Sequence, residues 1–166
     1  NMSTHSTEKL DNIMQEMRDI QKGFQKETIT KMAQKFEILM QKMLYLSSQE
    51  ENLKSEVENT FRNSPRLKKI AAQQQVLQDQ LQSITNQMME LSKETFAITP
   101  EIGRGIGKAN VGMQQAKEKL TERNTAQAEL GQNLAIQGLN EAAIGLFNSI
   151  ENMKKSLQTF DDDIDR

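Results

Sequence analysis

Apolar residues recur along this chain at alternating steps of three and four, with polar residues between them. This spacing places the apolar side chains on one face of an α-helix. Short polar segments with capping residues or proline interrupt the pattern at 63–65, 99–100 and 124–125. The sequence therefore predicts an all-α fold, an elongated antiparallel bundle of four long helices in one domain that covers residues 1–166. The predicted helices span about 7–61, 65–95, 100–122 and 125–160.

The first predicted helix, with Thr7 as its N-cap, changes phase part-way along. Its apolar seam stops at Phe24 and resumes out of phase at Ile29, so the slip lies close to Gly23. We interpret the slip as a kink, a break or a change of packing partner. Because helix two is too short to cover all of helix one, we expect the segment 7–28 to protrude and to dock a partner. The candidate docking residues are Leu10, Ile13, Met14, Met17, Ile20 and Phe24.

Serine or threonine followed by proline marks two further helix starts. We expect Ser64 to cap helix two with Pro65 as its first helical residue, and Thr99 with Pro100 repeats the arrangement at helix three. Gln74 is the one polar residue among the first eight seam positions of helix two. A single polar residue in an apolar seam restricts how helices can align, so we expect Gln74 to fix the packing register.

A stripe of small residues follows one line of helix four. Its members are Ala128, Gly131, Ala135, Gly138, Ala142, Gly145 and Ser149. Each interior glycine costs about 1 kcal/mol relative to alanine, which a closely packed backbone would offset. We therefore predict that helices three and four form an antiparallel hairpin closer than the usual distance of about 8–10 Å. The predicted close-packing residues are Gly131, Gly138, Gly145, Gly105 and Gly112, and Gly138→Leu should cost several kcal/mol through overpacking.

The composition excludes several classes of function. The chain has no cysteine and a single histidine, His5. These counts exclude disulfides, thiolate metal sites, histidine triads and the Glu-x-x-His di-iron site of helical bundles. A formal net charge of −2 gives no global attraction to nucleic acid or to anionic membranes. No apolar run is long enough to span a bilayer. We therefore predict no catalytic residue, no cofactor, no metal, no nucleic acid partner and no transmembrane segment in this chain.

Several motifs admit a functional and a structural interpretation. The glycine-rich segment 103–107 lacks the preceding strand and the lysine of a phosphate loop, which favours helix packing. The acidic segment 161–165 lacks the glycine and the last glutamate of a calcium loop, which favours a solvated tail whose charge opposes the helix dipole. A basic corner at the first turn suits phosphate or lipid headgroups, but a solvated surface is favoured there. Its members are Arg62, Arg66, Lys68 and Lys69.

Residues 65–153 resemble a bacterial family of unknown function. The resemblance is carried by Leu67–Ala71 with Gln73–Gln75, by Thr95–Gly103, by Arg123-Asn124 with Ala126–Ala128, and by Leu139–Ala143. The family consists of large envelope-associated proteins with N-terminal membrane-spanning segments and a long helical region rich in glutamine and methionine. The resemblance implies that this chain is a domain of a larger, membrane-anchored protein that faces the periplasm. It carries no catalytic residue to this sequence.

The sequence thus predicts a non-catalytic helical scaffold or interaction module of a bacterial envelope protein. Its expected partner is another helical protein or domain, or a second copy of the chain. The alternative is an amphipathic helical protein that opens its bundle on a lipid surface. An even mixture of charges on the polar faces argues against that alternative.

Overall fold

The computed structural model describes the backbone of residues 2–164 and the side chains of residues 2–162. Within this range the chain forms four α-helices and no strand, which confirms the predicted all-α fold. Helix α1 spans Met2–Glu58, α2 spans Arg66–Ser92, α3 spans Pro100–Thr121 and α4 spans Thr125–Ile164. The contacts divide the described chain into two compact units, residues 2–35 with 150–164 and residues 36–149. Helices α1 and α4 contribute to both units, where the sequence alone suggested one domain.

The unit 36–149 is an up-down-up-down bundle that contains parts of all four helices. Lys42 hydrogen-bonds Gln87 and Glu50 hydrogen-bonds Gln74, so α1 and α2 run antiparallel. Helix α2 also packs against α3. The core consists of residues at the alternating three- and four-residue positions that the sequence pattern defines. Its large, fully buried side chains include Phe36, Met43, Leu46, Leu67, Ile70, Leu81, Ile102, Met113, Leu120, Leu139 and Leu146.

Capping explains where α2, α3 and α4 begin. The Thr99 hydroxyl accepts a hydrogen bond from the Ile102 amide at 3.5 Å, with Pro100 at the first helical position as predicted. The Ser64 hydroxyl accepts from the Arg66 amide at 3.1 Å, while Pro65 already has helical angles. Sequence reasoning did not assign a cap to α4. There the Asn124 Oδ1 accepts from the Gln127 amide at 3.2 Å.

Several helix ends differ from the predicted positions: α1 begins and ends earlier, α2 ends earlier, and α4 continues to Ile164 instead of 160. Thr7 is not an N-cap; it lies inside α1, where its hydroxyl donates to the Ser3 carbonyl at 2.9 Å. Helix α1 ends at Glu58 instead of 61. The Asn59 side chain donates to the Ser55 carbonyl, and the Thr60 hydroxyl donates to the Glu56 carbonyl while the Thr60 amide turns to the Val57 carbonyl at 3.1 Å. Helix α2 ends at Ser92 instead of 95, where the Ser92 hydroxyl donates to the Met89 carbonyl.

The backbones of α3 and α4 touch at the predicted glycines. A Cβ atom built on Gly105 would lie 2.6 Å from the Gly138 carbonyl oxygen and 2.6 Å from the Ala142 nitrogen. A Cβ on Gly131 would lie 2.7 Å from the Gly112 carbonyl oxygen. Such distances are shorter than real Cβ contacts, so only glycine fits at these positions. The pairing of 105 with 138 and of 112 with 131 is antiparallel, which is the close hairpin that the small-residue stripe predicts.

The other glycines do not share this role. Gly145 faces a side chain, because a Cβ there would lie 2.6 Å from Cγ1 of Ile102. Gly103 and Gly107 have nothing within 4 Å of a built Cβ. In the segment 103–107, helix packing therefore accounts for Gly105 alone.

We expect Gly138→Ala to destabilise the protein by about 1–3 kcal/mol. The new methyl group would lie 2.5 Å from the Ala109 nitrogen, and backbone atoms cannot turn away as a side chain can. Urea unfolding followed by circular dichroism measures the change. The matched control is Gly107→Ala in α3, which should stabilise the helix by up to about 1 kcal/mol because its Cβ enters open space. Equal stability of the two variants would contradict the close contact of α3 with α4.

Candidate functional site

The six predicted docking residues form an exposed apolar face on the first part of α1. Their exposed fractions run from 45% for Met14 to 72% for Ile20. Leu10, Ile13, Met17 and Phe24 lie between these values. We call the six residues the docking stripe. A shallow groove on the helix surface is lined by four of them together with polar neighbours: Met14, Met17, Ile20 and Phe24, with Arg18 and Gln21.

Helix α1 is continuous through Gly23, so a break at the phase slip is wrong. Both Thr28 and Thr30 donate their hydroxyls to the carbonyls four residues earlier, at 3.0 and 2.8 Å, as helical threonines do. Gly23 has nothing within 4 Å of a built Cβ, and so no close contact requires it. The slip instead marks where the seam changes from exposed at Phe24 to buried at Met32. Of the interpretations offered, this agrees with a change of packing partner.

Beyond the docking stripe, α1 forms an ion pair with α4 in the same unit. Lys26 forms an ion pair with Asp161 of α4, and both side chains are more than 40% exposed. A solvent-exposed ion pair contributes little stability. Asp161 therefore lies in a surface ion pair on a helix that continues to Ile164, so the predicted solvated tail is wrong for residues 161–164. The predicted tail residue Asp165 lies outside the described residues, and so do the side chains of Asp163 and Ile164.

A buried polar cluster lies inside the unit 36–149, between α1, α2 and α4. Gln74 donates from Nε2 to the Glu50 Oε2 at 2.7 Å, and Gln132 donates from Nε2 to the Gln74 Oε1 at 3.2 Å. All three side chains have no exposed surface. Within the described chain, Glu50 Oε1 and Gln132 Oε1 have no hydrogen-bond partner. We call these residues the Glu50 cluster.

Burial changes the acid–base behaviour of Glu50. Desolvation raises the pKa of its carboxyl from 4.5 to about 7, and the hydrogen bond from Gln74 opposes this by favouring the charged form. The folded protein therefore holds a proton on Glu50 more tightly than the unfolded chain does. Protonation also adds a donor to a cluster that has unpaired acceptor oxygens.

Sequence analysis missed two members of this cluster. Gln74 was singled out, but Glu50 and Gln132 were not. Both occupy seam positions: Glu50 lies four residues after Leu46, and Gln132 lies seven residues before Leu139. The signal was therefore the period itself, which continues through these residues although they are polar.

The structure brings the basic corner together with a second turn. The Arg123 Nη1 donates to the carbonyls of Arg62 and Ser64, at 3.2 and 3.3 Å. Arg123 has a φ of 60°, the left-handed conformation that reverses the chain between α3 and α4. Phe61 stands beside these residues with 87% of its surface exposed. We call this part of the unit 36–149 the basic end; its members are Phe61, Arg62, Arg66, Lys68, Lys69 and Arg123.

Among the described residues, no three histidine, cysteine, aspartate or glutamate side chains lie close enough together to hold a metal ion. None of the helices in the described part of the chain is long and apolar enough to cross a membrane.

Comparisons with protein-family models, with curated proteins and with solved structures give no match for this chain.

We expect stability to fall as pH rises from about 5 to about 8, because the proton that the folded state holds on Glu50 is lost through a pKa of about 7. The shift of 4.5 to about 7 corresponds to about 3 kcal/mol, fully present at acid pH and lost above neutrality. Glu50→Gln should remove this slope and should be more stable than the parent chain at pH 8 by about 1–3 kcal/mol. Urea unfolding at a series of pH values measures both effects.

Glu51→Gln is the matched control, because Glu51 is exposed on the same helix. It should leave the pH slope unchanged. If the unfolding free energies of the parent chain and of the Glu50→Gln variant changed with pH by the same amount, Glu50 would not be the group responsible.

Proposed function

We propose that this chain is a non-catalytic helical interaction module, in which the docking stripe of α1 pairs with a helix of another protein or of a second copy. The observation that carries the proposal is the exposure of a regular apolar seam. Large apolar side chains in a row are ordinarily covered, and a contiguous exposed set marks a surface for binding. The face from Leu10 to Phe24 is such a set.

The spacing of the stripe favours a helix as its partner. Leu10, Ile13, Met17, Ile20 and Phe24 follow steps of three, four, three and four, which is the a/d pattern of paired helices. An a/d seam is narrow, whereas helices that lie on lipid present a wider apolar face with lysine and arginine on the other side.

The charges beside the stripe support the same choice. Between residues 8 and 27 the helix carries five acidic and four basic residues, a net charge of −1. Such a nearly balanced set has no net attraction to an anionic lipid surface, but it can form paired contacts with a helix that also carries both signs. These charges favour helix pairing over the lipid-surface alternative.

The ionisable groups of the described residues support a non-catalytic function. His5, the one histidine of the chain, is exposed on α1. Glu50 has a raised pKa, but it is fully buried and a substrate in solvent has no access to it. The resemblance of residues 65–153 to helical regions of bacterial envelope proteins supports placing the module in such a protein.

We expect Ile13→Asp with Ile20→Asp to abolish partner binding, because two buried carboxylates in a two-heptad seam are strongly unfavourable. A photo-reactive amino acid at Met17 measures binding in cells, with cross-linked peptides identified by mass spectrometry. We expect adducts to helical peptides, of this chain or of another protein, that disappear in the double variant. Light scattering on the purified chain shows whether a second copy is the partner.

The matched control is Asn12→Asp with Gln15→Asp, which introduces the same charge on the other side of the helix. It should leave the adducts unchanged. Adducts only to lipid, or equal adducts from a photo-reactive residue at Gln15, would overturn the proposal.

A further inference from the structure

The basic end combines an exposed aromatic side chain with a concentration of positive charge. Residues 58–69 and 119–125 contain six basic and two acidic residues, a local net charge of +4 in a chain whose total is −2. The two acids are already paired, Glu58 with Lys54 at 3.3 Å and Glu122 with Lys119 at 3.0 Å. The charge of the remaining cations is therefore uncompensated locally.

Five cations at this end have no ion-pair partner among the described residues. Arg62, Arg66, Lys68, Lys69 and Arg123 are all exposed. The hydrogen bonds from Arg123 to the carbonyls of Arg62 and Ser64 hold the two turns together. This contact places Arg123 beside the turn that carries Arg62 and precedes Arg66, Lys68 and Lys69, although Arg62 and Arg123 are 61 residues apart in sequence.

Phe61 lies next to Arg62 in the turn between α1 and α2. With 87% of its surface exposed, it contributes almost nothing to the core. An exposed aromatic ring in a segment with a positive local charge suits the boundary of an anionic bilayer, where the ring enters the interface and the cations meet the headgroups. A surface for single-stranded nucleic acid ordinarily presents several aromatic rings for stacking, whereas none besides Phe61 occurs in residues 58–69 and 119–125.

We propose that the basic end binds a bilayer containing anionic lipid, with Phe61 inserted among the headgroups. This inference is independent of the docking stripe, because it rests on different residues in a different unit. It also requires no opening of the bundle, since every group involved is already exposed.

The chain provides a matched aromatic control at the α2–α3 turn. Phe96 is fully exposed there, as Phe61 is at its own turn. Its surroundings have the opposite charge: residues 90–101 contain three acidic residues and one basic residue. Exposure of a phenylalanine is thus common to both turns, whereas the basic surroundings are specific to Phe61.

Vesicle flotation of the full chain tests the proposal. The probe is phosphatidylcholine vesicles with about 30 mol % phosphatidylglycerol, compared with phosphatidylcholine alone. We expect binding only to the anionic vesicles, weakened when salt is raised from about 50 to about 300 mM. Replacing Arg66, Lys68 and Lys69 by glutamine should lower the partition coefficient at least about tenfold, since each cation near an anionic surface contributes about fivefold.

Phe61→Ser should lower partitioning about tenfold, whereas Phe96→Ser should leave it unchanged. A second charge control replaces Lys9, Arg18 and Lys22 on α1 by glutamine, which changes the net charge equally and should leave binding intact. Circular dichroism verifies that each variant is folded.

Several results would overturn the proposal. These are equal binding to neutral vesicles, an equal loss with the α1 control, and binding of a duplex oligonucleotide in preference to vesicles. The variants of the basic end should leave the photo-cross-links of the docking stripe unchanged, so failure of one proposal is distinguishable from failure of the other.

Discussion

The rest of the bundle depends on the contact between the backbones of α3 and α4. At Gly105, Gly112, Gly131 and Gly138 there is no room for a Cβ atom, so side chains cannot separate the two helices. Atoms in direct van der Waals contact gain dispersion energy, which the backbone contact provides in place of the apolar area that larger side chains would bury. Beside this contact, large buried side chains of α3 and α4 such as Ile102, Met113 and Leu139 contribute to the core. A chain with few aromatic residues can build a well-filled core in this way.

The close distance does not by itself define the register of the helices. The stripe repeats every seven residues, so sliding α4 by one heptad would place Gly131 where Gly138 lies and would preserve small residues along the contact. The short turn between α3 and α4 prevents this. Residues 122–124 alone join the two helices, and Arg123 adopts the left-handed conformation that closes the turn. Asn124 then caps the first turn of α4. Distance and register in this hairpin therefore have separate physical causes.

Sequence reasoning reached the features that depend on short-range physics. The three- and four-residue period, the Thr99-Pro100 start and the glycine contacts each follow from neighbours on one helix. It failed where a residue's role depends on other helices. Glu50 interrupts an apolar seam, and an isolated carboxyl is costly to bury. Its hydrogen-bond partner Gln74 lies on α2, and the sequence around Glu50 gives no sign of that contact. The predicted helix ends were wrong for a related reason. Asn59 can either continue a helix or hydrogen-bond its last carbonyl groups, and helix propensity alone does not decide between these two outcomes. The phase slip indicated that the apolar face of α1 changes direction near Gly23. It did not decide whether the helix breaks there, because a continuous helix can also change which face is apolar.

The Glu50 cluster explains why a stable bundle would keep polar groups in its core. Replacing a buried polar network by apolar side chains commonly costs nothing or increases stability, so stability does not account for it. Register does. Moving α2 by one heptad would place Leu67 or Leu81 where Gln74 lies, and Glu50 would lose its only hydrogen-bond partner among the described residues. Gln132 would lose its acceptor in the same step. The apolar positions of α2 are nearly interchangeable across heptads, and therefore the cluster, not the apolar core, distinguishes the native alignment of α1, α2 and α4 from its neighbours.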